Sequence, residues 1–260
     1  MAILLVIALL VLGALQGACS RAVSPSHSVL VSAAVSLTEV LEDVSEAYKE
    51  ASGEQILLNL GSSNIIARQI VAGAPTDVFI SADVRQMKRI EDAGRVDPRD
   101  RFDLLTNQLV VVVAPVVIGD PVSLKALLIP SIRHIAIGEP SAVPAGVYWR
   151  EYLESNGLWE DFLPKLVPVS SVRAALMAVE HGTVEAAFVY RTDLFMASRS
   201  RLAFAIPCEE APSVVYPAAI LKQTRNRDAA YRFLTYLRSP IVQKIFEKYE
   251  FGVLTKEDQA

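Results

Sequence analysis

The strand-to-helix turn near the start of the chain constrains the fold most. An apolar strand, Val29–Ser32, leads through small residues to Ser36, where the apolar period changes from that of a strand to that of a helix. The apolar positions of this helix are Leu37, Val40, Leu41, Val44 and Tyr48. Ser36 and Glu39 have the spacing of a capping box, in which each side chain accepts a hydrogen bond from the other residue's backbone N–H. A helix that starts directly after a strand aims free N–H groups beyond the sheet edge, where an anion can bind.

Small-residue turns of the same kind occur at four predicted helix starts. They are Ala34-Val35-Ser36, Gly61-Ser62-Ser63, Pro144-Ala145-Gly146 and Ser170-Ser171-Val172. Because none of them contains Lys, Arg or His, an anion would be held by backbone N–H groups, serine hydroxyls and helix dipoles. Such donors favour a fully deprotonated anion. Carboxylates near strand ends, at Asp77, Glu139 and Asp193, leave a protonated anion open.

The alternation of strands and helices along the chain predicts an α/β fold. We expect two lobes, each a mainly parallel sheet flanked by helices, joined by crossover strands at Leu109–Val113 and Val214–Leu221. Pro217 favours an edge or crossover position for the second of these strands. The predicted division is residues 1–26 as export segment and linker, 27–113 as the first part of lobe 1, 114–213 as lobe 2 and 214–260 as the return to lobe 1. Ligands of open α/β sheets bind at the carboxyl ends of strands, so facing lobes would bring the four turns to one cleft.

The N-terminal segment has the composition of a secretory signal. Met1–Ala18 is apolar apart from Gln16 and ends in small residues. The basic residue that usually precedes such a run is absent, which leaves a start further upstream open. Cys19 follows a sequence that resembles a bacterial lipoprotein cleavage box, with its aliphatic residue, Leu15, one place early. Lipid attachment at Cys19, ordinary cleavage nearby and a retained anchor are the three interpretations; a lipid would tether the domain to a membrane surface.

Composition and motifs argue against several functions. The formal net charge of −4 provides no basic surface for nucleic acid. The three histidines, His27, His134 and His181, do not form a metal-binding or catalytic motif, and no phosphate-binding loop or nucleophile elbow is present. Cys208 is the only cysteine besides Cys19, so we expect an incidental thiol and no disulfide. We therefore predict a protein that is not an enzyme and has no cofactor or resident metal.

Several segments together resemble the periplasmic molybdate-binding proteins of ABC transporters. They are VSAAVSLTEVLEDV, GSSNIIARQIVAGAPTDVFISAD, LVVVVAP, GEPSAVPAGVY, VRAALMAVEHG and AAFVY. The resemblance extends from about Val29 to Gly252. It implies the type II periplasmic binding protein fold, a location outside the cytoplasm, and molybdate or tungstate as a dehydrated tetrahedral ligand. It also implies a monomer that delivers this ligand to the membrane permease of an ABC transporter.

The same resemblance implies five ligand-binding residues. These are Ser36 and Ser63 through hydroxyl and backbone N–H, Ala145 and Val172 through backbone N–H, and Tyr190 through its hydroxyl. Molybdenum would be bound only as the oxyanion, through these residues. Tyr190 ends an apolar strand, and from the residues alone it would be a core tyrosine. Val35, Asn64 and Ser171 depart from the usual pattern of the family and leave the preference among oxyanions open.

Two other functions would suit a chain with these lobes. A binding protein for another tetrahedral oxyanion, such as sulfate or phosphate, would use the same turns. A ligand-sensing domain of a transcription regulator would share the lobes, but it would carry DNA-binding helices where this chain has the predicted export segment.

Overall fold

The computed structural model describes residues 28–255. The predicted export segment, including Cys19, lies outside this part of the chain. Within it, no helix is both long and apolar enough to cross a membrane, and Cys208 is exposed and free.

Eleven strands and eight α-helices make up residues 28–255. The strands are β1 (Val29–Ala34), β2 (Ile56–Gly61), β3 (Val78–Ile80), β4 (Val96–Asn107), β5 (Leu109–Val113), β6 (Ile135–Gly138), β7 (Leu166–Val169), β8 (Ala186–Tyr190), β9 (Arg201–Ala205), β10 (Val214–Leu221) and β11 (Gly252–Val253). The helices are α1 (Thr38–Ser52), α2 (Ser63–Val71), α3 (Val84–Asp92), α4 (Pro144–Ser155), α5 (Trp159–Phe162), α6 (Val172–Glu180), α7 (Arg227–Tyr236) and α8 (Pro240–Lys248).

The strands form two sheets, which confirms the two-lobed α/β prediction. The first sheet has the order β11-β4-β10-β3-β1-β2, and the second has the order β7-β6-β8-β5-β9. We call each sheet with its helices the first and the second lobe. Both sheets are mixed: β1, β2 and β3 run parallel, as do β6, β7 and β8, whereas β10 and β5 run antiparallel to their neighbours. The sheets are therefore only partly parallel and not mainly parallel as expected. The reason is that β10 and β5, the strands that follow the two crossings, run antiparallel to the parallel strands of their lobes.

The crossing between the lobes differs from the predicted one. β5 pairs with β8 and β9 in the second sheet, so Leu109–Val113 does not belong to the first lobe. The chain crosses at Gln108, between β4 in the first sheet and β5 in the second. The sequence pattern did not predict strand β4, because this segment is rich in charged residues, contains Pro98 and is only partly buried. The second crossing lies between β9 and β10.

Pro217 lies in an internal strand, so the expected edge position is wrong; β10 is the first strand after the second crossing. β10 lies between β3 and β4, and its register with β4 shifts between Tyr216 and Pro217. A proline lacks the N–H that a regular ladder needs, and a bulge is one of the few places in a sheet where that loss is tolerated.

In each lobe, helices pack their apolar side chains against the sheet of that lobe. In the first lobe, the predicted face of α1 is buried at Val40, Leu41, Val44 and Tyr48. In the second lobe, the Trp149 ring of α4 stacks on Phe188 of β8 with 4.2 Å between ring centroids. Trp149 also donates a hydrogen bond from Nε1 to the Val189 carbonyl at 3.3 Å. This contact fixes the start of α4 relative to the end of β8.

Candidate anion-binding site

A small cavity lies where the helix starts of the two lobes meet. Its volume is about 10 Å³, and it is lined by Ala34, Val35, Ser36, Gly61, Ser62, Ser63, Ala82, Val143, Pro144, Ala145, Val172 and Tyr190. Sites for drug-sized ligands occupy about 300–1,000 Å³, so this one suits a smaller ligand. All five residues that the resemblance implied line it, Ser36 and Ser63 from the first lobe and Ala145, Val172 and Tyr190 from the second.

Ser36 is buried in a short 3-10 helix, Val35–Leu37, between β1 and α1. Its Oγ lies 3.1 Å from the Tyr216 Oη, and neither this helix nor α1 has a side-chain cap. The predicted capping box of Ser36 and Glu39 is therefore wrong. The intervening 3-10 turn places the Ser36 hydroxyl at the cavity and leaves Glu39 free to bond with Arg173.

A chain of hydrogen bonds behind Ser36 orients its hydroxyl. The Gln108 N–H donates to Asn107 Oδ1 at 2.9 Å, so the other polar atom of the Asn107 side chain, Nδ2, is the donor. Asn107 Nδ2 then donates to Tyr216 Oη at 3.1 Å and to Thr192 Oγ1 at 2.9 Å. Because Tyr216 Oη accepts from Asn107, we assign its own proton to Ser36 Oγ. The Ser36 proton is then available to a ligand in the cavity.

Tyr216 and Asn107 were missed by sequence reasoning. Tyr216 is a single aromatic residue in an apolar strand, and it lies 180 positions from Ser36. Burial raises the pKa of Tyr216 well above its usual range, so the hydroxyl stays protonated and can serve as a donor.

Ser63 presents its hydroxyl in a similar way. It is the first residue of α2 and is almost fully buried, and its Oγ accepts a hydrogen bond from the Ala82 N–H at 3.0 Å. Its proton is thus free for a ligand. The neighbouring Ser62 hydroxyl is already used, since it donates to Asn64 Oδ1 at 2.6 Å.

The second lobe contributes two helix starts. Ala145 follows Pro144 in the first turn of α4, and Val172 is the first residue of α6. The N–H groups of a first helical turn have no acceptor within their own helix, and they lie at the positive end of its dipole. Ser171 caps α6 by accepting from the Ala174 N–H at 3.1 Å, which leaves the Val172 N–H to face the cavity wall.

Tyr190 carries an unsatisfied hydroxyl at the cavity. Its side chain is 1% exposed, and its Oη has no hydrogen-bond partner among residues 28–255. Burial raises the pKa of Tyr190 well above its usual range, as do nearby Tyr216, Tyr148 and carboxylates, so the group remains a neutral donor. A buried hydroxyl without a partner costs about 1–3 kcal/mol. An acceptor atom in the cavity would remove this cost.

The lining of the cavity contains no charged side chain. None of the lining residues is Lys, Arg, His, Asp or Glu, and no group of His, Cys, Asp and Glu in the described chain could hold a metal ion. Behind the wall, Asp193 accepts from the Tyr190 N–H at 3.0 Å. Burial raises the pKa of Asp193 to about 6; Arg173 opposes this shift and Glu39 adds to it. The cavity can therefore bind an anion only through neutral hydrogen-bond donors.

The raised pKa of Asp193 predicts an unusual pH dependence of stability. In the folded protein this carboxyl takes up a proton near pH 6, whereas unfolded aspartate does so near pH 4. Between these values the folded state binds more protons, so the free energy of unfolding rises as pH falls. Relative to Asp193→Asn, the wild type should gain about 2 kcal/mol between pH 7.5 and pH 4.5. Urea unfolding of both proteins at the two pH values measures this difference, and an unchanged difference would contradict the raised pKa.

Known proteins resemble this chain over most of its length. The family model described as bacterial extracellular solute-binding protein matches residues 29–252. The chain is 33% identical over 239 residues to the molybdate-binding protein ModA of Escherichia coli K12, covering 90% of this chain and 92% of that protein. It is 35% identical over 244 residues to the putative ABC transporter substrate-binding lipoprotein YvgL of Bacillus subtilis 168, covering 94% and 93%. A solved substrate-binding domain of a putative molybdenum ABC transporter from Clostridium difficile is 31% identical, with a TM-score of 0.69 and coverage of 88% of this chain and 99% of that one.

Proposed function

From the premise that the chain belongs to the bacterial extracellular solute-binding protein family, we propose that it captures molybdate, or its close analogue tungstate, outside the cytoplasm. It delivers the anion to the membrane permease of an ABC importer. It acts as a monomer, has no catalytic role and needs no cofactor. The names of its molybdate-binding relatives support this choice of ligand.

The observation that carries the proposal is the unsatisfied Tyr190 hydroxyl beside two serine hydroxyls that are already bonded from behind. Ser63 Oγ accepts the Ala82 N–H, and Ser36 Oγ lies 3.1 Å from Tyr216 Oη, to which we assign the donor role. With that assignment, each serine has a proton to donate. Tyr190 Oη has no partner in the described chain. The matching ligand is a small anion whose oxygens all accept hydrogen bonds. A fully deprotonated tetrahedral dianion meets that requirement.

We assign seven donor groups on five residues to the anion. The hydroxyl and backbone N–H of Ser36 and of Ser63 hold the anion from the first lobe, and the N–H groups of Ala145 and Val172 with the Tyr190 hydroxyl hold it from the second. Charge-assisted hydrogen bonds contribute about 1.5–3 kcal/mol each. Several of them in a dry cavity exceed the roughly 8 kcal/mol that micromolar affinity requires. The anion therefore binds without any positively charged side chain in contact with it.

Lipid attachment at Cys19 is proposed as the means of retention at the membrane. The cysteine follows small residues, and the Bacillus relative named above is described as a lipoprotein. Detergent extraction of the protein from cell membranes, compared with that of a Cys19→Ala variant, tests this attachment. Equal solubility of the two proteins would count against it.

Calorimetric titration of the chain without its predicted export segment tests the ligand. We expect sub-micromolar binding of molybdate and tungstate, and sulfate at least a hundredfold weaker. Hydrogen phosphate should bind more weakly than molybdate, because no carboxylate lines the cavity to accept its proton. Tighter binding of sulfate or phosphate than of molybdate would assign the chain to another oxyanion, and absence of binding for all four would refute the proposal.

A further inference from the structure

A shielded ion pair joins the two lobes beside the cavity. Arg173 Nη2 donates to Glu39 Oε2 at 2.8 Å, and the two side chains are only 17% and 22% exposed. Glu39 lies in the first turn of α1 and Arg173 is the second residue of α6, so the pair crosses the cleft. Each residue is close in sequence to a proposed donor: Glu39 follows Ser36 by three positions, and Arg173 follows Val172 directly.

A second carboxylate stands near Arg173 within its own lobe. Asp193 is 1% exposed, and its Oδ2 accepts from the Tyr190 N–H. Its Oδ1 and the Nη1 of Arg173 are both buried without a hydrogen-bond partner in the described chain. Arg173 interacts electrostatically with Asp193, as does Glu39. Arg173 thus lies between a carboxylate of the other lobe and a carboxylate of its own.

Separation of the lobes would affect these contacts unequally. Within residues 28–255, the polypeptide crosses between the lobes at Gln108 and between β9 and β10. A rigid-body rotation about these connections that moves α1 away from α6 breaks the bond between Glu39 and Arg173. Arg173 and Asp193 move together, so the guanidinium keeps a counter-charge after opening. The bond to Glu39 is therefore made when the lobes meet and lost when they part.

We infer that Glu39 and Arg173 are positioning residues that form a latch across the cleft and slow release of the bound anion. The inference rests on the proposed function, because it concerns the same cavity. Neither residue lines the cavity, so the latch acts by holding Ser36 on one side and Val172 and Tyr190 on the other in the closed arrangement. Loss of one partner of a shielded charge pair acts mainly on the dissociation rate.

Two other ion pairs between the lobes provide internal comparisons. Arg85 of α3 pairs with Glu151 of α4, and these side chains are 48% and 37% exposed. Arg191, which follows β8, pairs with Glu250, which precedes β11, and these side chains are 33% and 50% exposed. Exposed ion pairs contribute little because water and salt screen them. We therefore assign the latch to Glu39 and Arg173, and expect Arg85→Gln to have a much smaller effect on release.

The test uses Glu39→Gln, Arg173→Met and the double variant. Stopped-flow fluorescence of Trp149 and Trp159 measures association and dissociation of molybdate. We expect each single variant to release molybdate about tenfold faster with an association rate within twofold of the wild type. The double variant should be no worse than the worse single variant, because both remove the same bond. Glu154→Gln, which removes an ion pair within α4, is the matched control and should leave both rates unchanged.

The outcomes separate this inference from the proposed function. If the wild-type protein does not bind molybdate, both the proposed function and the latch are refuted. If it binds and the dissociation rate is unchanged in Glu39→Gln, or the two single effects add in the double variant, only the latch is refuted. Should Arg173→Met fail to fold, Glu39→Gln decides alone, since it keeps the shape of the side chain. A loss confined to the association rate would also contradict the latch.

Discussion

Replacing both Ser36 and Ser63 by alanine should weaken molybdate binding about a thousandfold. The two substitutions remove hydroxyl protons that have no acceptor assigned within the protein. Ser63 Oγ accepts from the Ala82 N–H, and we assign Tyr216 as the donor to Ser36 Oγ. Each lost charge-assisted bond is worth about 1.5–3 kcal/mol, and 1.4 kcal/mol corresponds to a factor of ten in affinity. The backbone N–H groups remain, so residual binding is expected. Isothermal calorimetry with molybdate measures the effect for the single and double variants.

The control for this prediction lies further along α1. Ser45→Ala removes a hydroxyl that donates to the Leu41 carbonyl at 2.6 Å within the same helix, away from the cavity lining. It should leave the affinity for molybdate unchanged. Unaltered affinity in the Ser36→Ala and Ser63→Ala proteins would refute the assignment of these hydroxyls. The thermal stability of each variant is also measured without ligand. If it falls together with the affinity for molybdate, the serines stabilise the fold more than they bind the ligand.

Gly146→Ala should destabilise the protein by about 3 kcal/mol or more and abolish tight binding. A Cβ at Gly146 would lie 1.8 Å from the Gly138 carbonyl oxygen and 2.5 Å from its carbon. Both are backbone atoms of β6, so no side chain can move aside, and α4 must shift away from the sheet. That shift would carry the Ala145 N–H away from the cavity. Urea unfolding and molybdate titration measure the two consequences.

Gly61→Ala is the matched control for the backbone contact. There an added Cβ would meet only the Ile66 side chain, at 3.6 Å, which is an ordinary contact. Its free energy of unfolding should change by less than about 1 kcal/mol. Similar losses in the two variants would show that any glycine replacement near the cavity is harmful, and that the close approach of α4 to β6 is not the cause.

Much of the second lobe could be predicted from local patterns. The aliphatic run of β5 and the stripe of α6 are encoded by neighbouring residues, because burial on one or two faces leaves a regular apolar period. Strand β4 could not be found in this way. Its charged residues are partly exposed, and its place in the sheet is fixed by pairing with β10, more than a hundred positions later.

The residues of the candidate site also differ in whether the local sequence indicates them. The positions of Ser63 and Val172 follow from turns that end in helices, and the sequence alone indicates them. Ser36 was found too, but for a wrong reason, since its hydroxyl bonds to Tyr216 and not to a helix N–H. Tyr190 came only from the resemblance, because a tyrosine that ends an apolar strand carries no local sign of facing a cavity.

What the sequence determined by itself is the location of the small, uncharged helix starts, since capping and apolar periodicity depend on residues a few positions apart. What only the tertiary structure decided is which groups stand behind them. The contacts of Ser36 with Tyr216 and of Glu39 with Arg173 span 180 and 134 positions. The first contact forms only when β1 and β10 are assembled in one sheet, and the second only when the two lobes meet. No local pattern specifies which polar side chains will then be in contact.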